Sequence, residues 1–186
     1  MTKAEIRKLA EVQRKALSEE EVDAYSKRLL DLFSSLDLSS IKVIHVFLPI
    51  AEKNEPNTFL IIDWLTAHYP EMRIIVPKAD FKSSLMINYV YKGKNELVKN
   101  IYGILEPDMG ELHSGVVDMV LIPMLAFDLQ GYRVGYGKGF YDRFLQGVDV
   151  LKVGLSFFDP IDRIDDINEH DVRLDSCITP DRIYRF

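Results

Sequence analysis

The chain has 186 residues, 47% hydrophobic and 28% charged, with a formal net charge of -6. That length suits one domain with a full core, and the apolar share excludes a disordered chain. The acidic balance argues against a broad nucleic-acid surface, and no apolar run approaches the ~20 residues of a membrane-spanning helix, so neither nucleic acid nor membrane is an expected partner.

Met1-Thr2-Lys3-Ala4-Glu5 lacks the apolar core of a secretory leader. The single cysteine, Cys177, has no internal partner, so the expected compartment is the cytoplasm. Residues 2–17 are expected to be helical, with Ile6, Leu9, Ala10, Gln13 and Leu17 as a mostly apolar stripe. Lys3 and Arg7, four residues apart, share a face of the first two turns. That face is either solvated or reaches a phosphate. Ser18 and Glu21 form a capping box for a second helix, whose core face is Val22, Tyr25, Leu29, Leu32, Phe33 and Leu36.

Ile41 to Leu48 is almost continuously apolar, as expected of a parallel strand covered on both sides. The loop Ile50 to Asn57 carries Glu52, Lys53 and Glu55, which are polar and expected to be exposed. Asn57 or Thr58 caps the next helix, with Phe59, Ile62 and Leu65 inward, and Tyr69-Pro70 stops it. Arg73 to Val76 reads as a short strand and Leu85 to Tyr91 as another, antiparallel one. Lys92 to Asn100 is expected to be a short helix and Tyr102 to Ser114 an irregular surface segment. Val116 to Ile122 is a buried strand, Phe140 to Gln146 a short helix, Lys152 to Phe157 a strand, Asp159 to Asp175 an acidic loop and Arg182 to Phe186 a closing strand. Alternation of buried strands and amphipathic helices implies a single α/β domain over residues 1–186, in three layers, with a mainly parallel central sheet flanked by helices. Ligands of such sheets bind beyond the carboxyl ends of the strands. Pro49 to Asn57, Pro77 to Ala79 and Pro123 to Gly139 follow such ends and should converge.

The densest chemistry lies in Gly131-Tyr132-Arg133-Val134-Gly135-Tyr136-Gly137-Lys138-Gly139-Phe140-Tyr141-Asp142-Arg143. Four of the chain's ten glycines fall here, interleaved with cations and aromatics, between a buried strand and a helix. Free backbone N–H groups beside Arg133 and Lys138 suit a phosphate. The spacing is neither a P-loop nor the dinucleotide fingerprint. Asp142, Asp171 and Asp175 either hold magnesium beside such a phosphate or pair with arginines and solvent. The histidines His45, His68, His113 and His170 lack zinc spacing, and His45 reads as a core residue. Cys177 has no base beside it and no serine sits in a nucleophile elbow. Phosphoryl transfer by positioning and charge neutralisation remains.

These residues resemble the 5-formyltetrahydrofolate cyclo-ligase family. The motif is Ile122-Pro123-Met124-Leu125-Ala126-Phe127-Asp128 followed by Gly131 to Asp142, with Lys3-x-x-x-Arg7, Glu55-x-x-Thr58 and His170-Asp171-x-x-x-Asp175 in order around it. The resemblance implies a single α/β domain and an enzyme that couples ATP hydrolysis to ring closure of 5-formyltetrahydrofolate, with Mg2+ required. It implies that Lys3, Ala4, Glu5, Ile6 and Arg7, together with Arg133, Val134, Gly135, Tyr136, Gly137, Lys138, Gly139, Phe140 and Tyr141, form the ATP site. Ile50, Glu55, Tyr136, Gly137, Lys138, Gly139 and Phe140 match folate-contacting positions, and Asp142 and Asp171 match magnesium positions. Arg133 and Lys138 would meet the developing charge. Phe140 stands where the family commonly has tyrosine, and Tyr136 where some relatives have arginine. The expected partners are small molecules and the expected state is a monomer. The rival readings are another phosphate-binding α/β enzyme, a non-catalytic folate-binding module, or a structural partner protein.

Overall fold

In three adjacent strands the apolar residues divide by parity. Ile44 and Val46, Ile74 and Val76, and Met119 and Leu121 face one way; Ile75, Val120 and Ile122 face the other. This is the period-two alternation of a sheet buried on both faces. The computed structural model describes residues 1–186. Its helices are α1 (Lys3–Lys15), α2 (Glu19–Phe33), α3 (Phe59–His68) and α4 (Phe140–Leu145). Its strands are β1 (Val43–His45), β2 (Arg73–Asp80), β3 (Leu85–Val90), β4 (Leu97–Lys99), β5 (Leu105–Pro107), β6 (Leu112–His113), β7 (Met119–Pro123), β8 (Ala126–Phe127), β9 (Arg133–Val134), β10 (Leu151–Leu155), β11 (Ser176–Ile178) and β12 (Ile183–Arg185).

The main sheet has eight strands in the order β12-β11-β10-β7-β1-β2-β3-β6. The central run β11-β10-β7-β1-β2 is parallel throughout, and β12, β3 and β6 are antiparallel additions at the two edges. On the first face, α2 and α3 supply Leu29, Phe33, Ile61, Ile62 and Leu65. On the second, Leu145 of α4 packs with Met124, Phe127 and Leu174. Gly154 of β10 sits under this second layer, where an added Cβ would lie 2.1 Å from Met124 Cε and 2.9 Å from Leu174 Cδ1. The expected single-domain, three-layer α/β fold with a mainly parallel sheet is what forms.

Capping boxes close both N-terminal helices, Thr2 with Glu5 and Ser18 with Glu21. Helix α1 lies against the small hairpin β8–β9, where Ile6 meets Val134 and Ile164. Its inward stripe is rotated from the expected one. Ile6, Ala10 and Arg14 are buried, whereas Leu9 is half exposed.

Several expectations change. Regular pairing in the run Ile41 to Leu48 is confined to Val43–His45, because the chain then peels away beyond Val46 to form the loop above the sheet. Within Lys92 to Asn100 the expected short helix is a single 3-10 turn, Lys94–Glu96, and Leu97–Lys99 then pair with β5 as β4. Tyr102 to Ser114, expected to be irregular, therefore holds β5 and β6. Asp159 to Asp175 is a loop as expected, and Ser176–Ile178 directly after it forms β11, which was not anticipated and extends the parallel sheet beside β10.

Ile44 is fully buried at the sheet centre. Ile44→Ala should cost about 3 kcal/mol by the removed methyl groups and the cavity left behind. A lowered urea midpoint with an unchanged slope checks this.

Candidate functional site

The three stretches expected to converge do so, although Pro77 to Ala79 is not a loop but part of β2, paired with β3. They border a hollow of about 1070 Å³, to which α1 adds Lys3 and Arg7. Lys3, Glu55 and Lys138 come from distant parts of the chain and line this one space.

On one side is the glycine loop. Gly137 and Gly139 adopt φ of +84° and +67°, which side chains other than glycine's rarely tolerate. Gly135 differs: its backbone is ordinary, and an added Cβ would meet nothing within 4 Å. Its freedom from a side chain leaves the hollow open, and no packing demands it. Arg7 Nε donates to the Gly135 carbonyl at 2.9 Å, fastening α1 to the loop. Arg143 reaches back to the carbonyls of Lys138 (2.6 Å) and Ser84 (2.8 Å), tying the loop to the β2–β3 turn. Lys3, Arg7, Arg133, Lys138 and Arg143 thus concentrate positive charge around free backbone.

The two carboxylates expected at a metal are present on this side, each engaged by a cation. Asp142 Oδ1 accepts from Arg133 at 2.8 Å and from the Val172 amide at 3.2 Å. Asp171 pairs with Lys3 and accepts from the Asn168 amide at 2.7 Å. No group of three His, Cys, Asp or Glu side chains gathers to form a protein-only metal cage. The donor set suits Mg2+, which takes one or two protein carboxylates and completes its shell with water and phosphate oxygens.

On the other side, Glu55 is the surprise of the loop Ile50 to Asn57. It was expected at the surface and is only 4% exposed. The loop is bolted inward by Asn54, whose φ is 49° and whose side-chain amide donates to the carbonyls of Arg14 (2.9 Å) and Leu17 (3.1 Å). Glu55 Oε2 accepts from the Ile50 amide at 2.7 Å and Oε1 from the Tyr136 hydroxyl at 2.6 Å. Burial pushes the Glu55 carboxyl above its ordinary value, against the pull of the Tyr136 and Ile50 donors and the charges of Arg14 and Lys53. Burial and the Glu55 carboxylate hold the Tyr136 phenol far above its own, so it stays protonated and donates. Lys53 Nζ lies 4.1 Å over the Tyr136 ring. At the rim, Phe81 packs on Tyr102 (4.5 Å) and edge-on against Phe140 (5.3 Å).

Of the residues singled out in the sequence, Ile50, Arg133, Tyr136, Phe140 and Tyr141 also line the hollow. Ala4, Glu5, Ile6 and Val134 do not. The helical period turns Ala4 and Glu5 away from the face of Lys3 and Arg7, and Glu5 caps Thr2. Ile6 and Val134 are core residues packed on each other. Sequence reasoning missed Arg14, Phe81 and Tyr102. Arg14 was findable, since it continues the Lys3, Arg7 stripe at the next helical repeats. Phe81 and Tyr102 carry no local pattern that marks them.

His45 is in the core, as expected, yet it also supports the site. Asn88 Oδ1 can only accept, so His45 Nδ1 carries the proton (3.0 Å) and Nε2 accepts from the Tyr141 hydroxyl (3.0 Å). The side-chain arrangement as a whole offers phosphate recognition beside a buried carboxylate that can accept from ring N–H groups. No serine, threonine or cysteine lines the hollow. Cys177 is buried, which raises its thiol well above the ordinary value.

Residues 1–180 match the model of the 5-formyltetrahydrofolate cyclo-ligase family. The NMR structure of Aquifex aeolicus 5,10-methenyltetrahydrofolate synthetase aligns at 32% identity with a TM-score of 0.83, covering 100% of this chain and 93% of that one. The 5-formyltetrahydrofolate cyclo-ligase of Mycolicibacterium smegmatis is 25% identical over 187 residues, which span 97% of this chain and 95% of that protein. The mouse protein of the same name is 29% identical over 120 residues, spanning 57% of this chain and 59% of that protein.

Burial lowers the His45 pKa from 6.5 to about 4, the Asn88 bond opposing. The unfolded chain takes up this proton below about pH 6.5, whereas the folded chain resists until about pH 4. Stability from this residue is therefore full above pH 6.5 and lost as pH falls toward 4, by about 3 kcal/mol in all. Urea midpoints measured across that window should fall in the wild type and fall less in His45→Gln.

Proposed function

The chain belongs to the 5-formyltetrahydrofolate cyclo-ligase family, a family of enzymes, and from that premise we propose that it converts 5-formyltetrahydrofolate and ATP to 5,10-methenyltetrahydrofolate, ADP and phosphate. The observation that carries this reading is the shared hollow. A cationic glycine loop for a triphosphate and a buried carboxylate for a reduced pterin face the same space.

The formyl oxygen of the substrate is a poor leaving group because the formamide is resonance-stabilised. In the proposed reaction that oxygen attacks the γ-phosphorus of ATP and ADP departs, which leaves an iminium phosphate. Nitrogen 10 of the folate then attacks the formyl carbon and loses its proton, and the carbon–oxygen bond breaks to expel phosphate. Such a sequence asks the protein for alignment and charge neutralisation rather than covalent help. Lys3, Arg7 and the amides of Gly135 to Gly139 are proposed to hold the phosphates, with Arg133 and Lys138 placed for the charge that develops during transfer. Glu55 is proposed to accept from the pterin N–H groups, with Ile50, Tyr136 and Phe140 beside the rings. Asp142 and Asp171 would hold Mg2+, which supplies neutralisation of the phosphate oxygens when bound. No helix is long and apolar enough to cross a membrane. The reading extends to a monomer working in the cytoplasm on small-molecule substrates.

Incubation with 5-formyltetrahydrofolate, ATP and magnesium should produce near-ultraviolet absorbance from the methenyl product, and omission of ATP should abolish it. A folded protein that yields no such absorbance rejects the reading. Gly135→Ala tests the loop separately. With room for the methyl group and no backbone strain, the variant should keep the wild-type urea midpoint yet raise the KM for ATP by about tenfold, since the methyl occupies the approach to the loop amides. An unchanged KM would remove those amides from the nucleotide site.

A further inference from the structure

Arg14 is a buried cation with an incomplete set of partners. It is 2% exposed, and its two terminal nitrogens donate to the Met124 carbonyl (2.5 Å) and the Tyr136 hydroxyl (3.1 Å). Its Nε is buried with no partner. Burying a guanidinium costs several kcal/mol, and an apolar residue of similar volume commonly serves stability as well or better. Ile6 and Ala10, the other buried positions on this face of α1, are apolar. Packing therefore does not account for an arginine here.

The contacts beyond Arg14 supply a reason. The Tyr136 oxygen that accepts from Arg14 donates its own proton to Glu55 Oε1 at 2.6 Å. A cation, a phenol and a carboxylate thus stand in series, each bond polarising the next. The backbone of residue 14 acts on the same target, since its carbonyl receives the Asn54 amide that turns the Glu55 loop inward. We propose that Arg14 is a positioning residue for the substrate's heterocycle: through the Tyr136 hydroxyl it keeps the Glu55 carboxylate ionised and oriented toward the hollow. This inference rests on the reading above in which Glu55 accepts from the pterin. A protonated Glu55 would present a donor to ring N–H groups and repel them.

The charged and titratable groups that face Glu55 are Arg14 from α1, Lys53 from its own loop, Tyr136 from the glycine loop and, at longer range, Tyr141 from α4. Both tyrosines stay protonated, so Arg14 and Lys53 are the cations that oppose burial of the carboxylate. Removing Arg14 leaves burial less opposed, so Glu55 takes up its proton at a higher pH than in the wild type.

The test is the pH dependence of kcat/KM for 5-formyltetrahydrofolate in Arg14→Met, Tyr136→Phe, Glu55→Gln and the double variant Arg14→Met/Glu55→Gln. Arg14→Met should raise the folate KM by about tenfold at pH 7, hold the ATP KM within about twofold and move the acid limb of the profile to higher pH. Tyr136→Phe, which cuts the series in the middle, should show the same folate defect. The double variant should be no worse than Glu55→Gln alone, because the two residues act as one unit. The proposal is overturned if the acid limb does not move, if the folate and ATP KM values rise together with a fall in the urea midpoint, or if the double variant's losses simply add. If Arg14→Met does not fold, Tyr136→Phe decides, and a folate KM within about twofold of wild type there overturns the proposal. The two readings fail separately. A normal folate KM in Glu55→Gln removes Glu55 from the substrate and this inference with it, whereas a defect there beside a wild-type profile in Arg14→Met refutes Arg14 alone.

Discussion

One hydrogen bond organises the site: Arg7 Nε to the carbonyl of Gly135, across 128 residues of chain. It brings the first helix over the glycine loop and so adds the cations of α1 to those of the loop. It also explains a local detail. The space where a Cβ of Gly137 would point is filled by the same guanidinium, 3.3 Å away, so the left-handed turn at Gly137 and the docking of α1 require each other. Behind this bond, Ile6, Val134 and Ile164 form a small apolar cluster that holds the helix in place. The cluster supplies the burial and the polar bond sets the register.

The hollow that results has two unlike sides. Around the glycine loop, cations outnumber carboxylates, and Asp142 and Asp171 are each neutralised by a neighbour. Glu55 is buried, and its carboxyl group accepts two short hydrogen bonds beside the cations of Arg14 and Lys53. Tyr136 belongs to both sides, with its backbone in the glycine loop and its hydroxyl on Glu55. Tyr141 is anchored from below by His45, whose neutral ring leaves Nε2 as an acceptor. Aromatic residues of the loop are therefore held by polar bonds at their tips as well as by packing, which limits the orientations their rings can take.

Much of this was legible in one dimension. Continuous apolar runs marked β7 and the region of β1 as buried parallel strands, and a ligand crevice beyond their carboxyl ends followed from that topology. The glycine-rich stretch stood out by composition, and Lys3 and Arg7 by spacing. Glu55 was harder. In the sequence it is one of three polar loop residues, and nothing local separates it from Glu52, which pairs with Lys99 at the surface. What separates them is Asn54 reaching the end of α1, a contact between segments that share no pattern. The segment Lys92 to Asn100 was legible only in part. Its composition permits a turn of helix, which Lys94–Glu96 form, but Leu97–Lys99 found a partner strand that no local pattern announces.

By itself, then, the order of residues determined the layered α/β architecture, the ends of the main helices and the loop that carries the glycines, because these depend on periodicity, capping and backbone freedom, which are properties of neighbours. Only the folded chain decided that Arg14 is buried against Tyr136, that Glu55 faces inward, and that Asp142 and Asp171 are each paired with a cation. Those outcomes depend on which distant groups share a low-dielectric space, and the strength and sign of a charged contact are set by that surrounding rather than by the residues on either side in the chain.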